Sequence, residues 1–253
     1  MGKETGINYC SHTFNPWWGC TAVSPGCENC YAEVFDRRVG GSHFGRRQPR
    51  REFGEKHWNE PLLWNRDAVK ANRKDRVFCA SMADVMDDEA PVGVLDRLYA
   101  TIDATPNLIW QLLTKRPHRY KQRLPERFQH ANVWLGATAE NQQFYDVRWR
   151  ILSEFRRAPG WENTPLWISY EPAIGPVTMR GFDLKPDWIV FGGESGSRRR
   201  PVDAVWAEAI QSECQEFNCA FFMKQMSAFT PAQGKALIPT HLLIHEFPGA
   251  RSE

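Results

Sequence analysis

Short apolar runs recur along the chain, and several are apolar at consecutive positions, as in Trp188-Ile189-Val190-Phe191. A strand covered on both faces reads that way. The runs predict strands over Thr13–Gly19, Arg76–Ala80, Leu108–Leu113, Asn132–Leu135, Leu166–Ser169, Trp188–Phe191 and Ala220–Met223. Helical periodicity between them predicts helices over Tyr31–Val39, Val92–Asp103, Asn141–Phe155 and Val202–Phe217. Strands alternating with helices make parallel βαβ units. About seven strands suit a complete or partial α/β barrel better than a small open sheet. Spacing alone leaves a doubly wound sheet open. The Gly- and Arg-rich segment Gly40–Glu55 reads as a mobile loop, and no internal repeat interrupts the pattern. The patterning weakens after Ser227, so a domain over 1–227 and a tail or lid over 228–253 are expected.

Each predicted strand runs into a polar cluster. These are Ser81-Met82-Ala83-Asp84, Thr114-Lys115-Arg116, Thr138-Ala139-Glu140-Asn141, Ser169-Tyr170-Glu171-Pro172, Gly192-Gly193-Glu194-Ser195 and Lys224-Gln225. Ligands of α/β folds sit at the C-terminal ends of the strands, where the loops converge. One such cluster could be a helix cap or a turn. A succession of them predicts a shared active-site rim.

At 253 residues the chain is long enough for one large globular domain, and 32 Lys and Arg against 30 Asp and Glu exclude a histone-like tail or an acidic disordered chain. No window approaches the roughly 20 apolar residues of a membrane-spanning helix. The start, Met1-Gly2-Lys3-Glu4-Thr5-Gly6, lacks the apolar core of a secretory signal. A soluble, cytoplasmic protein is expected. Of the eleven tryptophans, most must fill a core, though Trp17, Trp18 and Tyr170 near strand ends could stack on a planar ligand.

The seven cysteines change the picture. Cys10, Cys20, Cys27 and Cys30 crowd together, while Cys79, Cys214 and Cys219 are scattered. A disulfide scaffold would be shorter and evenly paired, so a reducing compartment with a metal or cofactor site is the better reading. In Cys20-x6-Cys27-x2-Cys30, Pro25-Gly26 bends the chain before the second cysteine. Three thiolates on one loop can hold three irons of a [4Fe–4S] cluster and leave the fourth open. A helix N-terminus starting at Tyr31 would favour the anionic thiolates. The spacing also admits a closed zinc site using Cys10, a redox Cys-x-x-Cys pair, or buried thiols.

The string Asn15-Pro16-Trp17-Trp18-Gly19-Cys20, then Ser24-Pro25-Gly26-Cys27-x-x-Cys30-Tyr31-Ala32-Glu33, resembles the phage Gp37/Gp68 family, a branch of the radical S-adenosylmethionine (SAM) superfamily. Further matches are Leu113-Thr114-Lys115-Arg116-Pro117, Ser169-Tyr170-Glu171-Pro172, Gly192-Gly193-Glu194-Ser195-Gly196 and Lys224-Gln225. They run in order from residue 14 to about residue 227. Most of the superfamily carries C-x3-C-x2-C, and here the first gap is six residues.

The resemblance implies a partial (β/α)6-type barrel with a [4Fe–4S] cluster on Cys20, Cys27 and Cys30. SAM would bind the open iron, be split by one electron from an external donor, and yield a 5′-deoxyadenosyl radical that takes hydrogen from substrate. By position it implies Ser81 and Asp84 at the SAM amino group, and Thr138, Glu140, Asn141, Ser169 and Glu171 at its ribose and carboxylate. Gly192 and Gly193 would let the backbone approach a ligand closely, SAM or substrate. Glu194 and Lys115 are the candidate catalytic groups.

Charge placement addresses the substrate. Residues 115–127 hold Lys115, Arg116, Arg119, Lys121, Arg123 and Arg127 against Glu126 alone. Arg198, Arg199 and Arg200 follow the glycine motif, and seven cations over 36–56 face three acids. Cations beyond strand ends predict a polyanionic partner, nucleic acid or nucleotide, met by Arg116, Arg198, Arg199, Arg200, Lys224 and Gln225. The phage context favours a DNA base, flipped from the duplex if need be, with hydrogen abstraction and rearrangement of a modified pyrimidine side chain, an isomerase-type reaction in the host cytoplasm. The rival from another class is a zinc-stabilised nucleic-acid-binding protein. A weaker one is a Cys-nucleophile enzyme such as a base methyltransferase.

Overall fold

The structure, a computed structural model, describes residues 6–126, 128 and 132–249. Seven strands form one sheet in chain order, β1 to β7, and the pairings that can be read are parallel. By density of contacts the chain divides into two units, Met1–Val23 with Ala32–Leu135, and Ser24–Tyr31 with Gly136–Glu253.

The first unit holds β1 (His12–Thr13), β2 (Asp75–Cys79), β3 (Leu108–Thr114) and the start of β4 (Val133–Thr138). Its helices are α1 (Tyr31–Arg38, after its first residue), α2 (Glu55–Trp58), α3 (Glu60–Lys70), α4 (Val94–Asp103) and α5 (Tyr120–Arg123). His12 is in register with Val77, and Val77 with Trp110, so all three point to the same face of the sheet. There His12 stacks on Trp64 at 4.4 Å, and Phe14 packs on His57 at 4.7 Å and Trp58 at 5.2 Å. Helices α2 and α3 cover this face, although the apolar pattern did not predict them. Leu62 and Leu63 are exposed while Trp58, Pro61 and Ala68 are buried, which blurs the helical period. Pro61, which reads as a breaker, sits in the first turn of α3, where no N–H is needed.

The first strand is shorter than the expected Thr13–Gly19. The Asn15 carboxamide oxygen takes the Met82 backbone N–H at 2.7 Å, Pro16 has no N–H to offer, and Gly19 adopts φ 103°. Gly40–Glu55, expected as a mobile loop, is a strap tied down at several points, with Trp18 and Arg51 paired through their backbones.

The second unit holds the rest of β4, then β5 (Leu166–Tyr170), β6 (Trp188–Gly192) and β7 (Ala220–Gln225), with α6 (Gln142–Ser153) and α7 (Ala204–Glu216). Asn141 caps α6 by accepting the Phe144 N–H at 3.2 Å, and Asp203 caps α7 by accepting that of Val205 at 3.0 Å. After Ser227 the chain forms α8 (Pro231–Ala236), opened by a capping box of Thr230 and Gln233. It then runs beside β7, where Met223 N donates to Ile244 O at 2.9 Å and Glu246 N to Phe221 O at 2.9 Å. That covers an edge strand otherwise open to pairing. Residues 250–253 of the expected tail lie outside the described residues. No described helix is long and apolar enough to cross a membrane.

Gly136 in β4 faces the Trp167 indole so closely that a Cβ would lie 2.3 Å from its Cε2. Trp167 is fully buried against Trp188 at 5.2 Å and cannot retreat. Gly136→Ala is therefore expected to cost about 2–3 kcal/mol, read as a lower urea midpoint at unchanged m-value.

Candidate functional site

In the first unit, two buried guanidiniums converge on the residue after Cys20. Arg116 gives one N–H to the Thr21 carbonyl at 2.9 Å, and Arg50 gives one to the Thr21 hydroxyl at 3.0 Å. Arg116 pairs with Asp84 at 2.8 Å, Arg50 with Asp87 at 2.8 Å, and the Arg116 and Asp87 side chains approach to 3.4 Å. Asp84 also accepts the Thr114 hydroxyl at 2.5 Å and the Lys115 and Met86 backbone N–H groups at 3.0 and 2.9 Å. Burial pushes the Asp87 carboxyl up, more than Arg50 and Arg116 pull it down. Arg50 further donates to the carbonyls of His43, Gly45 and Gln48, and Gly45 N donates to Cys20 O at 3.0 Å. Ser81 is held by the Asn15 carboxamide at 3.1 Å.

In the second unit, the segment Ser24–Tyr31 is latched by two strand-end carboxylates. Glu140, fully buried after β4, accepts the Ser24 hydroxyl at 2.5 Å and an Arg148 N–H at 2.8 Å. A Cβ on Gly26 would meet the Glu140 side chain at 2.5 Å, so only glycine passes there. Glu194, buried after β6, accepts the Asn29 carboxamide at 3.2 Å, the Arg200 backbone N–H at 2.7 Å and the Arg200 guanidinium. Arg200 reaches on to the Pro25 carbonyl at 2.9 Å. Beside this lies a second group. Lys224 pairs with Glu171 at 2.6 Å, Ser169 donates to Glu171 at 3.3 Å, and Gln225 donates to the Gly193 carbonyl at 2.9 Å. Cβ atoms on Gly192 and Gly193 would strike Glu171 at 2.6 Å and Ser227 at 2.4 Å.

Burial pushes the Glu194 carboxyl up, but the hydrogen bonds from Arg200 and Asn29 outweigh it, and the group stays below its ordinary value of 4.5. A carboxylate depressed in the folded state stabilises above its unfolded pKa and loses that contribution as the pH falls through the folded one. The wild-type urea midpoint should therefore drop more below pH 4.5 than that of Glu194→Gln, which has no such charge to lose. An equal drop in both would contradict the latch.

The cysteines separate by exposure. Cys10, Cys79, Cys214 and Cys219 are buried, while Cys20, Cys27 and Cys30 are half-buried, and all seven are thiols rather than disulfides. Burial raises the Cys79 thiol far above its ordinary range, whereas Cys27 Sγ stands 3.9 Å from the Ser24 hydroxyl. Cys10 donates its S–H to the Ile7 carbonyl at 3.6 Å. Among the described residues no three His, Cys, Asp or Glu side chains are already gathered as a metal cage. The donor set itself, three solvent-reachable thiols in anchored loops, fits an iron–sulfur cluster.

The expected substrate cations divide in the same way. Arg116 is buried in its ion pairs, Arg200 is engaged by Glu194, and Lys224 by Glu171. Arg198 and Arg199 are exposed, Arg199 giving one N–H to the Gly196 carbonyl. Lys115 is half-buried, and Thr138 lends its carbonyl to Arg148 at 2.8 Å. Arg127 lies outside the described residues. Asn15, Thr21, Ser24, Asn29, Arg50, Asp87 and Arg148 were not expected as site residues. Asn15 and Ser24 lie inside the cysteine motif string, which was the available signal; Arg50, Asp87 and Arg148 come from distant segments and gave none.

The chain is similar in fold to spore photoproduct lyase. A Cys-to-Ser mutant of that protein aligns over 87% of this chain and 77% of its own at 11% identity and TM-score 0.55. A Tyr-to-Phe mutant aligns over 82% and 74% at 11% identity and TM-score 0.51. The class is therefore an α/β protein with a parallel, seven-stranded partial-barrel fold. The chain belongs to the family described as "Protein of unknown function (DUF5131)", whose model matches residues 4–244. The match carries that name rather than Gp37/Gp68. No curated protein matches the chain.

Proposed function

We propose that this chain is a radical SAM enzyme whose [4Fe–4S] cluster is held by Cys20, Cys27 and Cys30. The observation that carries the reading is the contrast among the cysteines: those of the C-x6-C-x2-C motif are half-buried while the other four are buried. The likeness in fold to spore photoproduct lyase supports it. With SAM bound, the cluster held by Cys20, Cys27 and Cys30 would supply the one electron that cleaves a carbon–sulfur bond of SAM, and the cleaved SAM would take hydrogen from substrate.

The chain's own residues hold the ligand loop and shape the rim. Arg50 and Arg116 fasten the backbone after Cys20, and Glu140, Glu194 and Arg200 fasten the segment carrying Cys27 and Cys30. Ser169, Glu171, Gly192 and Gly193 are the SAM-facing group in this reading, with Glu171 oriented by Lys224. Arg198 and Arg199 are the cations left to meet a phosphate. The substrate favoured is a nucleic-acid base, and the phage resemblance points to a modified pyrimidine in DNA.

A closed zinc site would need a fourth ligand, and Cys10 is buried with its S–H turned to a carbonyl. Anaerobic reconstitution with iron, sulfide and zinc counted per chain, followed by reduction with SAM, tests the proposal. About four irons and release of 5′-deoxyadenosine support it. One zinc, no iron and intact SAM overturn it.

A further inference from the structure

Helix α1 buries Ala32 and Asp36 and turns Val34, Phe35 and Arg38 to solvent, with Val34 45%, Phe35 43% and the following Val39 52% exposed. An eight-residue helix that shows solvent this much apolar side chain has a face without a partner. The strap over 41–51 extends that face. Asp36 accepts the His43 backbone N–H at 2.9 Å and meets its ring at 2.8 Å, which joins the strap to α1. Arg51 lies 4.5 Å over the Trp18 ring, and Trp18 meets Phe35 and Phe53 at 5.8 Å each. The strap also carries Gly45, whose N–H binds the Cys20 carbonyl.

The same helix, the strap and the start of α2 carry exposed cations: Arg37, Arg38, Arg46, Arg47, Arg51 and Lys56. Arg38, Arg46 and Lys56 make no ion pair among the described residues. Of the nearby acids Asp36 is buried, Glu33 pairs with Arg37 and Glu55 pairs with Arg97, while Glu52 is exposed, so cations remain in excess. Exposed apolar side chains on segments rich in exposed cations have the composition of a protein interface for an acidic partner. Nucleic acid fits less well, because two of those three exposed apolar residues, Val34 and Val39, are aliphatic and only Phe35 among them offers a plane for a base to stack on.

We infer that this surface docks an acidic, one-electron carrier protein that reduces the cluster. The inference rests on the radical SAM reading. One electron leaves the reduced carrier, which is oxidised, and enters the cluster; no atom is transferred. Docking on α1 and the strap brings the carrier against the loop that carries Cys20, and the cations steer it there.

The test uses the reconstituted full chain and photoreduced flavodoxin as the acidic probe, with dithionite as a small reductant that needs no docking face. Arg38→Glu/Arg46→Glu and Val34→Asp change exposed groups outside the proposed ligand and rim residues, and Lys70→Glu on α3 serves as the control cation. For the wild type, reduction by flavodoxin should slow as salt rises from about 50 to about 500 mM. Both α1-face variants should slow it by about tenfold or more, with dithionite reduction and iron content unchanged and Lys70→Glu like wild type. Unaltered flavodoxin rates in those variants overturn the docking face while leaving the cluster standing. The same holds if the variants instead lose binding to a single-stranded oligonucleotide, which would assign the face to nucleic acid. A wild-type chain that takes up no iron overturns both readings, so the two failures are distinguishable.

Discussion

Cys20→Ala, Cys27→Ala and Cys30→Ala are each expected to leave the reconstituted protein short of iron and unable to release 5′-deoxyadenosine, while Cys10→Ala retains both. A cluster with three protein ligands has no spare donor, so losing one thiolate removes a bond that neither alanine nor water replaces in strength. The four residues differ in what they do for the fold. Cys10 packs in the core with its S–H on the Ile7 carbonyl, so its truncation should cost about 1 kcal/mol through the lost bond and packing. The three motif cysteines are half-buried, and their truncation should move the melting temperature of the iron-free chain little. Iron content and iron-free stability therefore move in opposite directions across the series. Iron loss in Cys10→Ala equal to that of the others would favour a four-ligand site and sink the proposal.

Asp84→Ala is expected to destabilise the iron-free chain by about 3–5 kcal/mol, because it leaves the Arg116 guanidinium buried without its nearest carboxylate. At roughly 2–4 °C per kcal/mol for a chain of this size, the melting temperature should fall by about 6–20 °C. The Thr114 hydroxyl and the Lys115 and Met86 N–H groups lose their acceptor in the same step. Asp84→Asn keeps an oxygen for Thr114 and should cost less. Pairing it with Arg116→Met removes both charges and should recover part of the loss, a coupling that a double-mutant cycle measures. If Asp84→Ala melts like wild type, the pair does not hold the fold, and Asp84 becomes available for a ligand. Arg116→Lys should keep the charge but lose the fork that reaches Asp84 and the Thr21 carbonyl together, so residues near Cys20 should exchange amide hydrogen faster in the iron-free chain.

Much of the architecture could be read along the chain, because a parallel sheet buried on both faces needs unbroken apolar strands. Trp188–Gly192 is an example, apolar throughout and buried at every position. Helices were legible where one apolar stripe met the core, as in α4, which buries Val94, Leu98, Tyr99 and Ile102. Helix α3 was not, because Leu62 and Leu63 face solvent and a proline opens it. The short β1 was overread, since apolar Trp17 and Trp18 are buried without joining a ladder beyond Thr13.

The site divides along the same line. The residue types and spacing of the cysteine motif, the glycines before Glu194 and the polar strand ends are local properties, and the sequence by itself determined them. Whether a charged side chain faces solvent or a countercharge depends on segments far apart in the chain, and only the tertiary structure decided it. Arg116 meets Asp84, thirty-two residues away, and so is an anchor rather than an open cation. Arg50, unremarkable in a basic stretch, is buried among three carbonyls and Asp87. Burying a charge is costly enough that it happens only where a partner is supplied, and that partner comes from the fold.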